Sequence, residues 1–97
     1  MKKTAIRGQM KQYEEPNWEP LLYLLRAYVD DFMWMHEVEL ADGTSVHAYK
    51  HIETRRYLHL GEDHRTFVYT DDDRYREIEP RRLVDLVMPL ELWPCRE

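Results

Sequence analysis

Residues 33–69, MWMHEVELADGTSVHAYKHIETRRYLHLGEDHRTFVY, decide the fold. From Met33 onward apolar and polar side chains alternate with a period of two, the pattern of strands that bury one face. Asp42-Gly43 interrupts the alternation with a pair suited to a tight hairpin, because a type I′ turn needs positive φ at both central residues. With these two in the loop, Leu40 opposes Ser45, Val38 opposes His47, His36 opposes Tyr49 and Trp34 opposes His51. All eight then share one face, assigned inward. A second hairpin follows, from Arg55–Leu60 through Gly61-Glu62-Asp63 to His64–Thr70, with Leu58, Leu60, Phe67 and Tyr69 on a common face. Asp71-Asp72-Asp73 predicts a third turn, and Tyr75–Ile78 adds a short fifth strand.

Helices are expected on either side of this meander. Asn17 reads as an N-cap, and Glu19 and Pro20 suit a first turn whose N–H groups lack partners. Trp18, Leu21, Leu22, Leu25, Tyr28, Val29 and Phe32 recur at steps of three and four, which predicts about four turns of amphipathic helix lying on the sheet. Pro80 opens a second helix whose buried side is marked by Leu83, Leu86, Val87 and Leu90. Residues 1–16 are polar and are expected to form a largely mobile arm, with Thr4–Met10 able to supply an edge strand. Residues 17–92 form the domain and 93–97 a tail. The fold class is α+β: an N-terminal amphipathic helix, an antiparallel meander of four to five strands, strongly curled or barrel-like, and a short C-terminal helix.

Composition sets limits on function. With 97 residues, 43% of them hydrophobic and 12% aromatic, the chain has material for one modest core and is too apolar for a disordered segment. The net charge of -5 disfavours generic binding to phosphate backbones. A lone cysteine, Cys95, leaves no intramolecular disulfide framework. The start MKKTAI is basic, but Arg7-Gly8-Gln9 follows where an apolar segment would have to continue, so no classical export signal is expected. The longest apolar run, Leu21–Leu25, is far below the ~20 residues of a membrane span. A cytoplasmic protein with no membrane association is expected.

All five histidines fall in the opening stretch. The first hairpin gathers Trp34, His36, His47, Tyr49 and His51, the candidate ligand-binding residues. His47 and His51 are four strand positions apart, or roughly 13 Å at ~3.3 Å per residue, too far for one zinc ion. No cysteine or carboxylate is expected on that face, so no metal site is assigned. Ser45, the only serine, neighbours His47 but lacks an orienting acid, and no catalytic set is assigned. Gly-rich phosphate loops, CxxC and HExxH are absent, so no cofactor is assigned. Arg55, Arg56 and Tyr57, with Arg74, Tyr75 and Arg76, could form a basic strip with aromatic platforms of the kind that holds single-stranded nucleic acid. Eight acids in the same span argue against it.

The expectation that follows is a non-enzymatic binding or regulatory module acting through protein contacts, including self-association through a sheet edge or Leu90–Trp93. The first alternative is a small-molecule or enzymatic pocket using His36, His47 and Tyr49. The second is single-stranded nucleic-acid binding.

Overall fold

A computed structural model describes residues 5–11 and 15–88. Six antiparallel strands, β1 (Ile6–Met10), β2 (Phe32–Leu40), β3 (Ser45–His51), β4 (Tyr57–Gly61), β5 (Thr66–Tyr69) and β6 (Arg74–Glu77), follow one another in chain order. β6 returns to β1 and closes the sheet into a barrel. Helices α1 (Glu19–Leu25) and α2 (Pro80–Val87) cover part of its outside. The α+β class with a barrel-like sheet is as expected, but the described residues contain six strands.

The additional strand lies in the N-terminal arm, within the Thr4–Met10 segment read as able to supply an edge strand, but it is paired on both sides and is no edge. β1 pairs Gly8, Gln9 and Met10 with Leu40, Glu39 and Val38 of β2, and Ile6 and Arg7 with Tyr75 and Arg74 of β6. Its alternation is faint because the middle barrel-facing position is a glycine. That glycine is required: a Cβ on Gly8 would lie 2.6 Å from Tyr75 and 2.7 Å from Val38. Closure also pairs both edges of the sheet, leaving no edge strand among the described residues for a second copy to extend.

The barrel buries two surfaces. Inside, Val38, Leu40, Val46, Phe67 and Tyr75 form one cluster with Ile6 against it. Outside, Tyr49, Leu58 and Leu60 pack beneath Leu21 and Leu25 of α1 and Leu83, Val84 and Val87 of α2. β3 is therefore covered on both faces, and Val46, His47, Ala48 and Tyr49 are all buried.

Register is where the sequence reading fails. The first hairpin loop has three residues, Ala41-Asp42-Gly43, with Gly43 at φ 90° and its N–H bonded to Leu40 O at 2.9 Å. That is a turn followed by a left-handed residue, the usual three-residue alternative. It shifts the pairing by one, so Val38 faces Val46 and Glu37 faces His47. A bulge between Trp34 and His36 then brings Trp34 opposite Tyr49 and His36 opposite Ala48. The eight residues expected on one face are split in consequence. His36, Val38 and Leu40 take the barrel side, whereas Trp34, Ser45, His47, Tyr49 and His51 take the outer side. The second hairpin is corrected in the same way: His59 pairs with Phe67 and Leu60 with Thr66, so Leu58 and Leu60 lie on the face opposite Phe67 and Tyr69.

The helices are shorter than their periodicity predicts. Asn17 is one residue outside the N-cap Trp18, although its Oδ1 accepts from the N–H of Glu19 at 3.1 Å. α1 ends at Leu25, and Arg26–Asp31 continue as a 3-10 helix kinked at Tyr28. Asp30 and Asp31 would oppose the negative end of a longer α-helix, and Phe32 is needed to begin β2. In α2 it is Val84 that is buried beside Leu83 and Val87, while Leu86 is 53% exposed. Leu90, Trp93 and Cys95 lie outside the described residues. No helix among the described residues is long and apolar enough to cross a membrane.

Candidate functional site

The two ends of the barrel are built differently. At one end the β2–β3 and β4–β5 loops and the close of β6 meet around Arg65. Its guanidinium lies 3.3 Å from Asp63, 3.7 Å from Asp42 and 3.3 Å from Glu77, and donates to Thr44 at 3.3 Å. It also covers the Phe67 ring at 5.1 Å from the centroid. The Thr44 hydroxyl and N–H, with Arg65, hold the Asp42 carboxyl below the usual carboxylate range. This end is closed by a network of charges.

The other end opens into a cavity of about 500 Å³. Five rings line it: His36 from β2, Tyr57 and His59 from β4, Tyr69 from β5 and Tyr75 from β6. The register places them there, since Tyr69 faces Tyr75 across β5–β6 and His59 follows Tyr57 by two on β4. Tyr75 stands at 68° to His59, centroids 5.1 Å apart, and at 66° to Tyr69, centroids 5.3 Å apart. Tyr57 lies nearly parallel to His59 at 5.9 Å, with His36 6.4 Å beyond it. The rings thus form walls at steep angles around a space. His59 and Tyr75 are its buried floor, and Tyr57 and Tyr69 its exposed rim.

Burial fixes the charge state of the floor. It drives the His59 imidazole down to about 4, helped by repulsion from His36, so at neutral pH this ring is uncharged. It likewise pushes the Tyr75 phenol up to about 12, with Tyr69 and Asp73 adding to the effect. Among the described residues lining the cavity, Asp73 supplies the one fixed charge, and Tyr69 Oη lies 3.3 Å from its Oδ1.

Of the candidate ligand-binding residues, only His36 lies at this mouth. Trp34, His47 and Tyr49 lie together on the outer face under the helices. Trp34 Nε1 donates to His47 Nδ1 at 3.0 Å, His47 Nε2 lies 2.9 Å from Glu62, and Tyr49 donates to Asn17 O at 2.5 Å. Burial raises the Tyr49 phenol well above its ordinary value. His51 accepts from the N–H groups of Glu53 and Thr54 at 3.1 and 3.2 Å, and so caps a turn.

The outer face does hold carboxylates, contrary to expectation. The register shift sets Glu37 opposite His47 and the β4–β5 turn delivers Glu62, so donor atoms of Glu37, His47 and Glu62 lie within 4.8 Å of one another. Their hydrogen bonding opposes a metal ion. An indole N–H can only donate, so His47 Nδ1 accepts and the ring proton sits on Nε2, the atom that faces Glu62. Lys11 already pairs with Glu37 at 2.9 Å. Burial raises the Glu37 carboxyl, but Lys11, His47 and Ser45 together outweigh it and the carboxyl stays below its ordinary range. The cluster fastens β3 to the β4–β5 turn.

The arginine and tyrosine residues of the nucleic-acid alternative separate in space. Tyr57 turns into the mouth, Arg56 donates to Leu86 O at 2.7 Å, and exposed Arg55 sits in the β3–β4 turn at φ 64°. Arg74 and Arg76 alternate with the inward Tyr75 and so face away from it. A second cavity of about 500 Å³, on the outer side of the barrel, is bordered by Asn17, Arg26 and Glu62 and contains Tyr23 stacked on His64 at 3.7 Å; it lacks the ring of aromatic side chains found at the mouth. The signal that sequence reasoning missed is the i, i+2 pair Tyr57 and His59 facing Tyr69, which marks an aromatic lining. No family model, curated protein or solved structure matches the chain.

Proposed function

We propose that the protein is a small binding module whose site is the open mouth of the barrel, and that the group it recognises is small enough to enter, whether free or displayed on a partner protein. The observation that carries this reading is the cavity of about 500 Å³ ringed by His36, Tyr57, His59, Tyr69 and Tyr75. Its volume and lining are those of ligand sites, which are mostly apolar with a few polar groups and recur at the mouths of barrels. Met10 and Tyr69 keep 60% and 50% of their surface exposed at this rim, apolar area that an occupant would cover.

A thermal-shift screen of small aromatic and amine fragments tests the reading. Fragments that stabilise the wild type should lose their effect on Met10→Trp, in which a bulky ring fills the mouth. Hits that stabilise both proteins equally, or a screen with no hits, would overturn it.

A further inference from the structure

We propose that the group recognised at the mouth is a methylated ammonium, held between Tyr57, Tyr69 and Tyr75 with Asp73 as its counter-charge; this inference rests on the mouth being the ligand site. The first argument is the shape of the walls. A stack of rings offers a planar ligand one slot, but Tyr75 meets His59 and Tyr69 at 68° and 66°, so ring faces approach the space from several sides. Tyr57 is nearly parallel to His59, at 14°, so it is Tyr75 that turns the wall, and a wall turned in this way suits a rounded group better than a flat one. Aromatic faces carry the negative part of the ring quadrupole, and cages of such faces hold quaternary ammonium groups.

The second argument is charge. Asp73 is the one fixed charge among the described lining residues, and the two floor groups are uncharged at neutral pH, the imidazole held down and the phenol held up by burial. The floor itself therefore carries no cation, and the cationic side chains that face a positive ligand are His36 of the lining and Lys50 beside Tyr57. A fold cation already uses this ring system: Lys50 Nζ lies 5.9 Å from the Tyr57 centroid.

The third argument is hydration. A bare ammonium is strongly hydrated and demands hydrogen-bond acceptors when it leaves water. Ring faces and the Met10 thioether offer few of these, and the Asp73 carboxylate already accepts from Tyr69. Methyl groups spread the charge over an apolar surface, lower the desolvation cost and gain contact with the rings. The cavity is larger than such a head group, which leaves room for the chain that bears it.

Calorimetric titration of the full chain with choline, and with the neutral alcohol in which a tert-butyl group replaces the trimethylammonium, separates charge from shape. Choline is expected to bind about tenfold more tightly, the size of one or two desolvated cation–π contacts. Lys50→Met, which removes the resident cation, should tighten choline by roughly threefold and leave the alcohol unchanged. Equal affinity for the two probes, tighter binding of benzoate than of choline, or weaker choline binding by Lys50→Met would overturn the inference while leaving the mouth as the site. Choline binding that survives Met10→Trp would place the cation elsewhere and remove both readings. A peptide bearing one trimethyllysine completes the set. Its affinity relative to choline assigns the head group to a protein side chain if it is tighter, and to a free molecule if it is weaker.

Discussion

The barrel ends with Arg65 at one rim and with tyrosines at the other, and the contrast separates a rim sealed by paired charges from one left open between rings. At the Arg65 end, charged side chains from two loops and one strand meet over Phe67, which is fully buried. Charges there satisfy one another and exclude water from the core. At the mouth, the rings of Tyr57 and Tyr69 remain exposed around buried His59 and Tyr75, and Asp73 forms no ion pair among the described residues. The closed end is sealed by charge, and the open end is where we propose that binding occurs.

Truncation should expose that division most strongly. Phe67→Ala removes a fully buried ring and is expected to cost about 4 kcal/mol. Tyr69→Ala, at a half-exposed ring of the rim, is expected to cost less than about 1 kcal/mol while abolishing ligand binding. Urea denaturation with a binding assay checks both. Similar losses of stability at the two positions would break the comparison.

Acid should act through the floor of the mouth. His59 falls from its ordinary 6.5 to about 4 on folding, so between these values the unfolded chain binds more protons than the fold. Stability is therefore full above pH ~6.5 and falls toward pH ~4, by up to roughly 3 kcal/mol from this group. Glu37 and Asp42, both lowered, lose their contributions only below the ordinary carboxylate range. His59→Gln should flatten the upper part of the pH–stability curve; an unchanged slope would contradict the burial argument.

At the closed end, Arg65→Met breaks three ion pairs that are partly exposed and screened by solvent. The expected loss is about 1 kcal/mol, shrinking at high salt. A loss independent of salt would show that packing on Phe67, and not charge, closes that rim. Smallest of all is the effect at the outer cluster. Trp34→Phe removes the indole donor, so the His47 proton can move to Nδ1 and free Nε2 for a metal. Zinc should then stabilise the variant by roughly 0.5 kcal/mol through linkage, read as a small rise in melting temperature, and leave the wild type unchanged. Equal zinc stabilisation of both would refute the tautomer assignment.

The sequence made the architecture legible and the site only in part. Period-two alternation from Met33, the breaks at Gly43 and Gly61 and the apolar stripe at Leu21–Leu25 were enough for an α+β fold with a curled sheet. Faces were not legible, because a strand assigns side chains only once its register is known. One left-handed glycine and one bulge moved His36 away from Trp34, His47 and Tyr49, and turned a single supposed pocket into a buried hydrogen-bonded cluster and a barrel mouth. β1 was masked by Gly8, whose missing side chain is what lets the strand pack against Tyr75 and Val38. Closure, which no local pattern encodes, then brought Met10 and Asp73 to the same rim.

The most direct test is the aromatic carbon–proton NMR spectrum of the full chain during a choline titration. The ring signals of Tyr57, Tyr69 and Tyr75 should shift together and saturably, while those of Phe67 at the closed end and of Tyr23 and His64 in the outer cavity stay in place. Shifts confined to Tyr23 and His64, or mouth rings that do not respond, would contradict the assignment of binding to the open end.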